Sequence, residues 1–296
     1  MMRTVLQTRL PLPTRWEKPI AVGLFTLLAV LQLLHNYVRW SPLSDYSISF
    51  YPAAQDLFRA NPYGSTEYDF FYPIWSLIPI LPLTLLPVRI GNAVLGVASV
   101  ITLGTVTYKL GAKPLQLALF LLLPQVLFGA KNGDYMDVLT AVGFVLPPRW
   151  GLFFVLIKPQ AGIGVAVYWL FEAWREGGWK QAVHTFAPVG IAYALILLVY
   201  SPNLFDSLLA APGIVGLDSH HNAAMWPFGA VIGAALLAHA VRTRRIGPAI
   251  LSSACFTPYV GFYSWPTTML GLLPGNVEFL AATLVMWAIG LIEAQW

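Results

Sequence analysis

Asp45 is the residue of this chain best suited by type and position to acid–base chemistry. It stands in a polar, tyrosine-rich stretch, SDYSISFYPAAQDLFRANPYGSTEYDFFYPIW, between the first long apolar run and the second. A carboxylate at the mouth of a cavity can take the proton of a sugar hydroxyl as that oxygen attacks a new centre. The plainer reading is a solvated loop aspartate beside a helix end. In the same stretch, Asp56 is expected to face water, and Glu67 and Asp69 are candidates for holding a sugar or restraining the loop.

Lys158 interrupts the apolar run WGLFFVLIKPQAGIGVAVYWLF. A lysine inside such a run marks a functional site by default, against the alternative of a snorkelling side chain at a helix end. Pro159 favours a helix break there, and an ammonium at a break can grip a phosphate. In AKNGDYMDVL, Asp134 and Asp137 lie one helical turn apart and can share a face. They suit a metal, a sugar-binding edge or a polar link between helices. Asp218, His220, His221 and Asn222 form a further polar group; its spacing supplies no third and fourth metal ligand, so hydrogen bonding to a phosphate or sugar fits better. Tyr259, Tyr263 and Trp265 suit interface anchors or a sugar-stacking wall.

These residues must be positioned by membrane helices. The chain is 57% hydrophobic and only 10% charged, against the ~25% charged residues of an ordinary soluble domain. Apolar segments are expected at 19–38, 72–88, 90–108, 114–130, 135–148, 150–172, 182–200, 223–241, 246–263 and 277–294. The expected fold is all-α: one polytopic membrane domain over 1–296, with roughly eight to ten transmembrane or re-entrant helices. Prolines in several segments predict broken helices, which lipid tolerates only where protein or a cavity covers them. Residues 39–71 form a long first outer loop, in which Phe50, Ala53, Leu57 and Phe58 predict a short amphipathic helix on the bilayer surface.

Arg3, Arg9, Arg15 and Lys18 before the first span predict a cytoplasmic N-terminus in a multi-pass protein of the cell membrane. Arg175 with Lys180, and Arg242 with Arg244 and Arg245, mark further cytoplasmic loops. Arg89 conflicts with Lys109 and Lys113, since a full span at 90–108 cannot have both ends inside. The net charge of +4 reflects these short loops and implies no nucleic-acid partner. The single cysteine, Cys255, excludes an intrachain disulfide, and neither a metal-ligand cluster nor a glycine-rich dinucleotide signature is present. No cofactor is expected.

Asp45 with Tyr51, Ala53 and Ala54, then ANPYG at 60–64, FFYPIW at 70–75, IKPQ at 157–160, HN at 221–222 and TPYVGFY at 257–263 occur in a telling order. That order resembles the GT-C class of integral-membrane glycosyltransferases, and within it the GT87 family of polyprenyl-phosphate-mannose-dependent α-mannosyltransferases. The chain departs from the pattern where Ala60 replaces a frequent glycine, where Gly133-Asp134 replaces a glycine-glutamine pair, and where Phe262 replaces histidine. The resemblance implies a GT-C-like bundle and an inverting transfer of a sugar, mannose in the family, from polyprenyl phosphate to a hydroxyl of a lipid or glycan acceptor at the outer face. It implies Asp45 as base, and Lys158 and His221 at the donor phosphate. Tyr51, Tyr63, Tyr72, Gln160, His220, Asn222 and Tyr263 join Glu67, Asp69, Asp134 and Asp137 as substrate-binding candidates. Two other readings remain open: a transporter or flippase of a lipid-linked or anionic substrate, and a non-catalytic membrane subunit. No inverted repeat is evident in support of the transporter.

Overall fold

The computed structural model describes residues 17–58, 61–63, 70–215 and 222–293. The fold is all-α, with 79% of the described residues helical. In order come α1 (Glu17–Val38), a π-turn (Tyr46–Phe50) leading into α2 (Tyr51–Asp56), a 3-10 helix (Ile74–Leu85), α3 (Val88–Lys109), α4 (Pro114–Leu121), α5 (Pro124–Asn132), α6 (Met136–Gly143), α7 (Pro148–Val155), α8 (Pro159–Val215), α9 (Gly229–Thr243), α10 (Ile246–Ser252), α11 (Trp265–Met269) and α12 (Asn276–Glu293). Many of the prolines that interrupt the apolar runs begin helices. Pro114, Pro124, Pro148 and Pro266 stand in first turns, where the missing N–H would have no partner anyway.

Fewer segments qualify as spans than the hydropathy pattern suggests. Among the described residues, two helices are long and apolar enough to cross a membrane, Val88–Lys109 and Pro159–Tyr200, and α4 with α5 makes a third if that pair, bent by 54°, is one span. The other apolar helices, such as Gly229–Thr243 and Ile246–Cys255, are shorter. Of the roughly eight to ten transmembrane or re-entrant helices expected, two or three among the described residues are long enough to be full crossings, because proline restarts divide other apolar runs into pieces of about two turns. The 42-residue stretch 159–200 would be about twice the ~30 Å hydrocarbon thickness as one rod. It is interrupted at Gly177 and Gly178, whose backbone angles are non-helical (Gly178 φ 61°). Arg175 and Lys180 flank the break, which falls between the apolar segments expected at 150–172 and 182–200.

α3 is the central post. It packs against α1, α5 and α6, while α7 and α8 pack together and α10 joins α8 to α9. Asn36 of α1 donates to the Ala130 carbonyl at 2.8 Å, and Asn92 of α3 donates to the Lys131 carbonyl at 3.1 Å. These two amides hold the end of α5. Arg89 sits at the other end of α3 from Lys109, where it donates to the Tyr37 carbonyl at the end of α1, 2.7 Å away, and stacks on the Tyr37 ring. Arg89 thus serves the C-terminal carbonyls of α1. Outward faces of α1 and α12 remain apolar, with Leu31, Leu34, Leu284 and Ile292 exposed, as suits helices against lipid.

Candidate functional site

The polar cluster is built where α5 ends and α6 begins. Gly133 terminates α5 in the left-handed conformation, φ 76°, a conformation that favours glycine. A Cβ there would lie 2.5 Å from Tyr46 Cβ and 2.7 Å from Asn92 Oδ1, so glycine is required on two counts. The turn it makes sends Asn132 one way and Asp134 the other. Asn132 donates to Asp45 Oδ2 at 2.6 Å. Asp134 and Asp137, on the face predicted from their spacing, both accept from Lys158 Nζ, at 3.0 Å and 2.6 Å. Ser264 Oγ donates to Asp137 Oδ2 at 3.0 Å.

Lys158 lies in the break between α7 and α8 that Pro159 predicts. It is only 3% exposed, and Asp134 and Asp137 are each 7% exposed. An ion group so deeply buried persists only with its partners in place. The Tyr263 ring completes the enclosure, its centroid 5.0 Å from the ammonium. The acidic pair is therefore a polar link that carries charge. Among the described residues no group of three metal-ligating side chains occurs.

Asp45 precedes the π-turn, a helix form enriched at functional sites, and it makes no side-chain cap there. Asparagine from a distant helix takes its carboxylate instead. Burial raises the Asp45 carboxyl to about 7; neighbouring Asp134 adds to the rise, and Lys158 and the Asn132 hydrogen bond oppose it. The group is poised to exchange a proton near neutral pH.

Other predicted residues fall in varied places. The surface helix turns Phe50, Ala53 and Ala54 into the core and leaves Phe58 outside, so it is a packing element as much as an interfacial one. Tyr51 donates to the Thr84 carbonyl at 3.4 Å, and Tyr63 to that of Tyr72 at 2.7 Å. These hydroxyls brace the loop. Tyr72 packs edge-on against Phe50 and lies close enough to Asp45, Asp134, Asp137 and Lys158 to feel their charges. Gln160, half-buried, is in the first turn of α8. Asn222 acts as a latch: it donates to Pro258 O and accepts from the Ala224 and Val260 amides. Glu67, Asp69, His220 and His221 lie outside the described residues.

Asn132 lies with Lys131, Asp134 and Asp137 in the polar stretch AKNGDYMDVL that the sequence singles out, while Ser264 and Gln125 escaped the sequence reading of the site. Asn132 and Ser264 hold carboxylates, and Gln125 lines a cavity beside Asp134 and Asp137. A signal existed for Gln125, a fully polar side chain after a proline in LLLPQVLF. That cavity, of about 20 Å³, is bounded by Ser99, Gln125, Asp134, Asp137, Tyr263 and Thr267 among others, room for about one water molecule. No family model, no curated protein and no solved structure matches the chain.

Proposed function

We propose that this chain is a membrane-embedded inverting glycosyltransferase that uses a polyprenyl-phosphate sugar, in a GT-C-like arrangement. The observation that carries the reading is that Asp45 and Lys158, far apart in sequence, converge on one short turn through Asn132 and Asp134. A base and a phosphate-binding cation are needed on either side of the same anomeric carbon. The acceptor oxygen attacks that carbon as its proton passes to Asp45, and the bond to the lipid phosphate oxygen breaks with its electron pair. The departing phosphate is stabilised by Lys158, an effect enlarged in a poorly hydrated site. A carboxyl raised to about 7 is matched to general-base work near neutrality. Mannose is the sugar this reading assigns, and a lipid or glycan hydroxyl the acceptor.

The test is transfer from radiolabelled polyprenyl-phosphate-mannose to a lipid-extract acceptor pool by the purified protein in membranes. Wild type should transfer label, and folded Asp45→Asn should not. Equal transfer by both would remove Asp45 from the role. One observation favours a second reading, a transporter of an anionic or lipid-linked substrate: the charged cluster is buried between broken helices, as in many transporters. Uptake of labelled lipid phosphate into sealed vesicles, without sugar transfer, would favour it.

A further inference from the structure

The small cavity beside the ion cluster has an unusual chemistry. Two residues that line it, Gln125 and Asp137, each carry a buried side-chain oxygen, Oε1 and Oδ1, with no hydrogen-bond partner. Gln125 is 0% exposed, and its orientation is fixed because Nε2 donates to the Met286 carbonyl at 2.7 Å. Its oxygen therefore cannot be exchanged for the amide nitrogen without losing that bond. Asp137 gives its other oxygen to Lys158 and Ser264. Both orphaned atoms are acceptors, and hydroxyl-bearing Ser99 and Thr267 share the wall. A buried acceptor left unpaired is a substantial penalty, larger for a charged group.

The charge balance points the same way. Asp134 and Asp137 face the single ammonium of Lys158, which leaves one buried negative charge uncompensated. We propose that this cavity is a site for one hard monovalent cation, of the Na⁺ class, ligated by Asp137 Oδ1 and Gln125 Oε1. Oxygen-only ligation suits a hard cation. The one-water volume admits a single ion of about water size or smaller, and the single excess charge favours a monovalent over a divalent ion. A water molecule would satisfy both acceptors but leave the charge. The site stands independently of the sugar-transfer reading and places the cation behind the Lys158 pair, where it would hold that pair in position.

The test uses the full chain purified in detergent. Equilibrium dialysis against ²²Na⁺ should retain about one ion per chain, displaced by excess unlabelled Na⁺ and not by choline. Thermal unfolding at constant ionic strength should shift upward by roughly 2–4 °C, saturably, when NaCl replaces choline chloride. Gln125→Leu should abolish both effects, and Gln125→Glu, which keeps the acceptor and adds charge, should retain more ²²Na⁺ at low concentration. Failure of wild type to retain ²²Na⁺ above background would overturn the proposal, leaving a water molecule or a proton on Asp137 to fill the role. Equal retention by a folded Gln125→Leu variant would overturn it as well. If that variant does not fold, the wild-type dialysis with Gln125→Glu decides.

Discussion

Replacing Lys158 with methionine keeps most of the side chain's length and removes its charge. In the native arrangement the ammonium makes two contacts, at 3.0 Å and 2.6 Å. With an effective dielectric of about 20, each is worth roughly 5–6 kcal/mol of gross attraction. Desolvation of three buried charges offsets most of that sum. What remains decisive is the asymmetry: without the lysine, two carboxylates stay buried facing each other. Breaking a buried pair in this way costs roughly 3–5 kcal/mol, a large share of the ~5–15 kcal/mol that stabilises a typical fold. At about 2–4 °C per kcal/mol, Lys158→Met should lower the unfolding midpoint by roughly 6–20 °C. The 11 tryptophans supply a fluorescence readout of thermal unfolding in detergent. Adding Asp134→Asn removes one stranded charge and should recover a substantial part of the loss. The Asn side chain can still accept from the Met136 amide, as Asp134 Oδ1 does at 3.2 Å. A loss under about 1 kcal/mol, the range of an exposed pair, or a double variant less stable than Lys158→Met alone, would refute the reasoning.

Three further outcomes are expected. With the Asp45 carboxyl raised to about 7, its folded-state value exceeds the ordinary one. Transfer activity should therefore fall as pH drops through about 7. The contribution of this group to stability has the opposite sense: it is complete at acid pH and is lost as pH rises towards about 7. Asp134, Lys158 and Tyr72 are the charged or titratable groups facing it; a pH–rate profile unchanged by Asp134→Asn would count against this account. Asn132→Leu removes a hydrogen bond that favours the ionised form, so the alkaline-rising limb should move to higher pH. An unmoved limb would show that Asn132 does not tune the carboxyl. Gly133→Ala meets both a left-handed backbone and two close neighbours. It should cost about 1–2 kcal/mol from backbone strain alone, with more from crowding, and would be seen as a lower unfolding midpoint; no change would mean the turn relaxes freely.

The parts of this site that sequence reveals are those fixed by local rules. Lys158 next to Pro159 announces a charged helix break, and the chain does break there. Asp134 and Asp137 announce a shared face by their spacing, and Lys158 meets both. The contact between Asn132 and Asp45 spans 87 positions, and nothing local encodes it. Gln125 and Ser264 read as ordinary polar residues until α5 and the segment before α11 meet around the cavity. The number of full-length spans is hard to read from sequence for a related reason. Hydropathy registers an apolar run whether it is one helix or two short ones, and only a proline in first-turn position, as at Pro124 and Pro148, tells the difference.

The closed packing at Lys158 sets a condition on any phosphate chemistry there. Its ammonium already faces two carboxylates and an aromatic ring, and the adjoining cavity has room for about one water molecule. A lipid phosphate can reach the lysine only by taking the place of one carboxylate. Asp134 is the better candidate to yield, since its contact is the longer, 3.0 Å against 2.6 Å, and Asp137 is also held by Ser264. The carboxylate released would then lie beside Asp45, whose carboxyl Asp134 already pushes upward. Donor binding would thus couple to protonation: as the phosphate displaces Asp134 from Lys158, the local negative charge grows, the Asp45 proton is held more firmly, and Asp45 becomes a base in the donor complex only at a pH above that of the free protein. In Asp134→Asn that coupling is absent, so donor affinity should vary less with pH than in wild type. Equal pH dependence of donor binding in the two proteins would place the phosphate somewhere other than Lys158.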